Sequence, residues 1–215
     1  SDLSLIVAAG PFANFLLAIV IFAFIYMFAG KDFTPAQIQE VQPESPAYVA
    51  GIKSGDVIQS INEREVKSIM EVSTFINASS SETIDIEVLR NGSELTLEVK
   101  PKFIEGKDSL GNQINKKIIG IKVAPLNEEI NRQRLGPATA LYYAVKETWF
   151  VIEASWEFVI SMFKGTGDTS QLGGPIKIAK ITGQVAKFGI VAFLSIMAYI
   201  SISLGFINLL PIPML

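Results

Sequence analysis

The sequence predicts a multi-pass α-helical membrane protein with an α+β domain inserted between its spans. Three observations predict it. Leu3 to Gly30 carries no charged residue, and neither does Phe188 to Leu215. All 18 basic residues, and every acidic one except Asp2, lie between these two runs. The charged middle alternates apolar and polar residues at strand spacing, whereas each uncharged run exceeds the ~20 apolar residues that cross a bilayer. Hydrophobic residues make up 49% of the 215 and the mean hydropathy is +0.39, high for a soluble chain.

Composition excludes several function classes. A net charge of −3 gives no case for nucleic acid. With no Cys, disulfides are excluded and the compartment stays open. With no His, a Ser-His pair, a Cys-His pair and a His-ligated zinc site are all excluded within this chain. A metal site built from these residues alone would need carboxylates.

Residues 1–30 hold the first span, best placed over Phe12–Ala29. Eighteen residues at ~1.5 Å rise give ~27 Å, close to the hydrocarbon thickness. No basic stretch precedes it and it is longer than a signal-peptide core, so it reads as a span. Gly10-Pro11 stands just before it, and proline suits a first helical turn, so the dipeptide is expected to start the helix. Asn14 is the strongly polar side chain of the span. It is either an interfacial or helix–helix amide, or a group beside a reaction site.

Residues 31–103 read as a compact domain. Ile84, Ile86 and Val88 alternate with Asp85 and Glu87, and Leu95, Leu97 and Val99 with Thr96 and Glu98. Asn91-Gly92 between them is a strong hairpin signal. Ser68-Ile-Met-Glu71 fits a capping box, followed by Ile69, Val72 and Ile76 on one helical face with Phe75 beside them. Val57, Ile58 and Ile61 suggest a further buried strand after the Gly55-Asp56 turn. The segment Glu44 to Asn62 carries SPA and then AGI-x-x-GD-x-I-x-x-I-N, and so resembles the PDZ family. That family captures a peptide as an added strand beside a helix. The resemblance implies a groove lined by Ile38 on the binding strand and by Val72, Phe75 and Ile76 on the helix. The competing reading makes these side chains core.

Residues 104–136 are polar, with one short alternation at Ile119, Ile121 and Val123 that suggests an added strand. Residues 137–187 open with a long apolar segment, Pro137 to Phe163. Lys146, Glu153 and Glu157 fall within ~40° of one another at 100° per residue. Trp149, Phe150 and Trp156 add large rings. An amphipathic helix in the membrane plane fits this narrow stripe, because charges inside lipid are costly. A third span is the alternative. A Gly173-Gly174-Pro175-Ile176 loop follows and lacks any phosphate-binding pattern.

Residues 188–215 form the last span, ending in Asn208-Leu-Leu-Pro211-Ile-Pro213-Met-Leu215. Two prolines in one turn break a helix and free carbonyls. In lipid such a break is tolerated only where protein or a watery cavity satisfies the freed groups. The chain begins with Ser rather than Met and stops within this motif, so it reads as a segment of a longer protein.

Taken in order, Gly10-Pro11-Phe-Ala-Asn14-Phe15, the PDZ-like block, Gly-Gly-Pro-Ile and Asn208-x-x-Pro211-x-Pro213-x-Leu215 resemble the site-2 protease family. The likeness is to its bacterial RseP-type intramembrane zinc metalloproteases. In that family an upstream HExxH supplies two zinc ligands and a general base, and an Asp in an LDG motif supplies the third ligand. The resemblance therefore implies zinc as cofactor with its ligands outside this chain, no catalytic or metal residue within it, and no activity for it alone. It implies supporting roles for Asn208, Pro211, Pro213, Asn14, Gly10 and Pro11, with Asn208 holding an unwound substrate or serving as a packing amide. Implied partners are membrane proteins with a transmembrane helix (anti-sigma factors or remnant signal peptides), a protein tail at the PDZ groove, and the lipid bilayer. The implied location is the bacterial inner membrane, with the PDZ block on the periplasmic or extracytoplasmic side. A membrane-anchored PDZ adaptor without enzymatic activity explains the domain and spans but not the Asn-Pro-Pro ending. A transporter with a broken helix lacks a second, paired break.

Overall fold

A computed structural model describes residues 2–107, 113–163 and 189–210. The chain divides into two compact units. One holds the N-terminal helix and the helices after residue 134. The other spans residues 32–133.

Helix α1 (Asp2–Phe28) carries Pro11 in its interior. The expected start at Gly10-Pro11 is therefore corrected: the helix runs through the proline. Pro11 removes one intrahelical donor, but the flanking residues are apolar and offer no capping group, so the helix continues. Ala18, Phe22, Ile25 and Tyr26 form its buried stripe at helical spacing. Phe12, Leu16, Leu17, Val20, Phe24 and Phe28 are exposed. The stretch Ala9–Phe28 is long and apolar enough to cross a membrane.

The second unit begins with β1 (Lys31–Asp32) and β2 (Ala36–Val41). A single-turn helix α2 (Pro46–Val49) follows, capped by Ser45, whose Oγ accepts the Tyr48 N–H at 3.2 Å. Then come β3 (Val57–Ile61), β4 (Arg64–Glu65) and α3 (Ile69–Ala78). The expected capping box is present at the start of α3. Glu71 Oε2 accepts the N–H groups of Lys67 and Ser68 at 2.6 and 3.2 Å. Strands β5 (Ile84–Arg90) and β6 (Ser93–Val99) form the hairpin read from Asn91-Gly92. Both turn residues have positive φ, 50° and 80°, as the primed two-residue turn demands.

Three more strands and a closing one follow: β7 (Lys102–Lys107), β8 (Gln113–Ile118), β9 (Ile121–Pro125) and β10 (Arg132–Gln133). β7 and β8 pair with each other, and β10 pairs with β1. The main antiparallel sheet has the order β6-β5-β3-β2-β9. The alternation at Ile121 and Val123 is thus a strand of this sheet, with Ala36 opposite Pro125 and Ile38 opposite Val123. A domain boundary at 103 would cut the sheet, so the unit extends through β9. Its core is the inward side of four strands: Ile38, Ile58, Ile61, Ile84, Ile86, Val88 and Val99 are all at most 2% exposed. Val72 and Ile76 of α3 close over them.

Helices α4 (Pro137–Phe163) and α5 (Ile190–Leu209) complete the first unit. α5 is the second stretch long and apolar enough to cross a membrane. α4 buries Ala140, Ala144 and Thr148, one residue per turn, and the two alanines join the cluster formed by α1 and α5. Its start lies by the end of α1, where the Leu135 N–H donates to the Tyr26 carbonyl at 3.0 Å. Farther along, Tyr199 donates its hydroxyl to Glu147 Oε1 at 2.8 Å. Trp156 meets Phe206 edge to face at 6.2 Å. Advancing from 147 to 156 on α4 thus advances from 199 to 206 on α5. The two helices run parallel, side by side, and α4 runs antiparallel to α1. The small-residue stripe of α4, opposite its polar stripe, packs on α1.

Candidate functional site

Two places carry the residues singled out from the sequence. The first is the contact of α1 with α5. Small side chains let these helices approach closely, as apolar helices must without a hydrophobic drive between them. Ala198, Ser201 and Gly205 lie on the buried face of α5. Ser201 Oγ donates to the main-chain carbonyl of Asn14 at 2.8 Å. Gly205 rests on the Pro11–Phe15 turn. A Cβ built there would lie 2.8 and 3.1 Å from the Phe15 ring and 3.1 Å from the Pro11 carbonyl oxygen. Phe22 and Tyr199 add an edge-to-face contact at 5.2 Å.

The structure therefore brings α5 onto the turn holding Pro11 and Asn14. Pro11 is buried, Asn14 half-buried and Gly10 exposed. Asn208, in the last turn of α5, is exposed. Pro211 and Pro213, and the Gly173-Gly174-Pro175-Ile176 loop, lie outside the described residues. Ser201 and Gly205 were missed in the sequence, although their four-residue spacing inside an apolar run is the signature of a close helix contact. The Glu147–Tyr199 pair was missed as well, since nothing local relates residues so far apart.

Zinc does not fit what these residues offer. Among the described residues no three of His, Cys, Asp or Glu come together.

The second place is the expected peptide groove. Ile38 does not line it. β2 is bonded on one side to β3 and on the other to β9, and Ile38 is fully buried. The Ile38 N–H and carbonyl are themselves bonded to the Asp56 carbonyl and the Gly55 N–H, so this residue has no backbone group left for a peptide. The outer edge of β9 has no strand partner among the described residues. Ile121 and Val123 of β9 and Phe75 of α3 are half-buried against the core, and Val72 and Ile76 lie in it. An added strand would thus meet β9 with α3 beside it. One end of α3 is tied to β8 through Lys117. Its N–H donates to Asn77 Oδ1 at 3.0 Å, and its ammonium bonds the Ser79 carbonyl. The intervening turn is fixed from below: the Gly120 carbonyl accepts the Gln42 N–H at 2.8 Å, and the Ile119 carbonyl the Ala47 N–H at 2.9 Å.

The hydrogen-bonded frame of this unit includes Asp56, 1% exposed. Its Oδ1 accepts Arg90 Nε at 2.8 Å, and its Oδ2 accepts Arg90 Nη2 at 2.7 Å and the Lys53 N–H at 2.9 Å. Burial pushes the Asp56 carboxyl up, but the Arg90 bonds and the Lys53 amide outweigh it and hold it below the usual carboxylate range. Arg90 also donates to the Gly51 carbonyl at 2.8 Å, joining the turns around the Gly55-Asp56 pair to β5.

Comparison with known proteins agrees with the order of motifs. The sequence profile described as Peptidase family M50 matches residues 2–215. A protein of Mesorhizobium japonicum, named as a candidate zinc metalloprotease, is 37% identical over 210 residues, 96% of this chain and 56% of its own length. One of the same description from Rickettsia conorii is 37% identical over 213 residues, 98% of this chain and 59% of its own. The regulator of sigma-W protease RasP of Bacillus subtilis is 32% identical over 211 residues, 97% of this chain and 47% of its own. The chain thus spans about half the length of the curated relatives it matches. Among solved structures, the PDZ domain of an SdrC-like protein from Listeria monocytogenes aligns with 42% of this chain and 88% of its own, at 21% identity and a TM-score of 0.34.

Proposed function

The chain belongs to peptidase family M50, and from that membership we propose that it forms part of an intramembrane zinc metalloendopeptidase. The substrate class is a transmembrane helix of another membrane protein, of the anti-sigma or remnant signal peptide kind. The single observation that carries this reading is the match over residues 2–215. The packing of Ser201 and Gly205 on the Pro11–Asn14 turn supports it, because it sets two motif-bearing segments side by side.

In this reading zinc is held by residues outside the chain. The chain contributes the surroundings of the reaction. α1 and α5 form adjoining spans in a bacterial inner membrane. Asn208, three residues before Pro211 in the sequence, offers amide hydrogen bonds to a substrate whose helix has unwound. A helix must unwind before cleavage because its carbonyls are otherwise paired. The unit of residues 32–133 acts as a PDZ-type filter on the extracytoplasmic side and takes a peptide tail at the β9 edge.

The test uses the full-length protein in membranes and a single-span test helix tagged at both ends. Cleavage within the span, lost with a zinc chelator and restored by added zinc, is expected. Asn208→Ala should lower the rate by roughly 10 to 100 fold, the range for losing one transition-state donor or slightly misplacing a substrate. An intact test helix with zinc-loaded protein would overturn the reading.

A further inference from the structure

We propose that Gly205 and Ser201 are positioning residues for this reaction: together they fix the height and rotation of α5 on the Pro11–Phe15 turn of α1, and so the placement of Asn208. The inference rests on the protease reading above.

Gly205 is buried where a side chain has no room. The nearest atoms to a Cβ would be a packed ring and a backbone carbonyl, at 2.8 and 3.1 Å. The ring can turn a little, but the Pro11 carbonyl belongs to the helix itself. A side chain at 205 therefore displaces the Phe15 ring and presses the two helices apart by a few tenths of an ångström at the Pro11 carbonyl. Ser201 stands one turn earlier on the same face, 6% exposed. Its hydroxyl bonds the Asn14 carbonyl, which fixes the slide that a smooth apolar contact leaves loose. Neither residue can reach a substrate. Gly205 has no side chain, and the Ser201 hydroxyl is turned into α1.

Asn208 follows Gly205 by three residues, about 4.5 Å of helical rise. It is one turn away, on the same rigid element. A displacement at the contact is carried to Asn208 almost unchanged, and rates fall steeply when a substrate-holding group moves by even ~1 Å.

The experiment uses the full-length, zinc-loaded protein in membranes with the doubly tagged test helix. Gly205→Ala is expected to lower kcat roughly tenfold, with KM within about twofold. Adding Phe15→Leu to Gly205→Ala removes the ring edge nearest the new methyl, and is expected to recover more than half of the lost kcat. As a measurement independent of turnover, a Phe22→Cys/Tyr199→Cys pair, placed where two rings meet across the same helix contact and leaving Ser201 and Gly205 in place, is oxidised in membranes. It is expected to cross-link readily with Gly205 present and several-fold more slowly with Gly205→Ala. Wild-type kcat in Gly205→Ala, a loss indifferent to Phe15→Leu, or unchanged cross-linking would overturn the inference. If the unaltered protein cleaves nothing while the cross-link responds as expected, the protease reading fails and the helix contact stands.

Discussion

Asp56 and Arg90 form a two-pronged ion pair, Nε to Oδ1 at 2.8 Å and Nη2 to Oδ2 at 2.7 Å. The carboxylate is almost fully buried, and Oδ2 accepts one further bond, from the Lys53 amide. Losing Arg90 would leave the buried carboxylate with no counter-charge, whereas losing Asp56 leaves a partly exposed guanidinium and an unfilled Lys53 amide.

A pH dependence follows from it. The folded Asp56 titrates below the unfolded value of about 3.9. The stability it contributes is therefore fully present above pH ~4 and is lost as pH falls through the lower folded value. Residues 32–133, expressed alone, should melt at progressively lower temperature in acid below pH ~4. Asp56→Asn should cost roughly 2 kcal/mol near neutral pH, the scale of lost charge-assisted hydrogen bonds, and flatten that acid limb. A mutant with the wild-type acid limb would show that another group sets it.

Gly120 gives a second prediction. Its φ is +80°, and a Cβ would stand 2.3 Å from the Ser45 Cβ. Gly120→Ala thus combines backbone strain with a clash, and should destabilise the unit by about 2 kcal/mol or more in denaturant titrations. Adding Ser45→Gly should return part of the loss, since it removes the atom struck but not the strained φ. Measured against Ser45→Gly alone, which carries the loss of the α2 cap, no return would place the cost in φ.

The groove can be tested residue by residue. A peptide ending in a free carboxylate after an apolar residue should shift the amide resonances of Ile121 to Val123 and leave that of Ile38 in place. Phe75→Ala should weaken binding roughly tenfold, whereas Ile38→Ala should lower stability by about 3 kcal/mol. Shifts centred on Gln37 and Gln39 would return the groove to β2.

How much of this was readable in the sequence depends on range. The Asn91-Gly92 turn, the Ser68–Glu71 capping box and the Ile58/Ile61 strand were legible, because each is decided by neighbours a few residues apart. The pairing of β2 with β9 was not. It joins Ala36 to Pro125 across almost the whole unit, and no local signal says which strand fills a sheet's interior. That is why Ile38 looked like a groove residue and Ile121 like an extension. At the helices the motif residues Pro11, Asn14 and Asn208 were visible as oddities in apolar runs. Ser201 and Gly205, which join them, are ordinary in such runs and show their role only once α5 lies on α1.

The last prediction concerns α4. A helix in the membrane plane would cross α5 at a steep angle and touch it at one level. The structure gives two contacts on one line, Glu147 with Tyr199 and Trp156 with Phe206. They are nine residues apart on α4 and seven on α5, so both helices advance together by more than 10 Å at ~1.5 Å per residue. The chain has no Cys, which leaves introduced pairs free of background from it. Oxidation in membranes should cross-link Glu147→Cys with Tyr199→Cys, and separately Trp156→Cys with Phe206→Cys. If α4 lies in the plane instead, at most one pair can form. In the parallel arrangement the charge of Glu147 is offset by the Tyr199 hydroxyl, as a charge set among apolar helices requires. Tyr199→Phe, made in the Trp156→Cys/Phe206→Cys protein, should then slow that cross-link, because Glu147 loses the hydroxyl that ties α4 to α5.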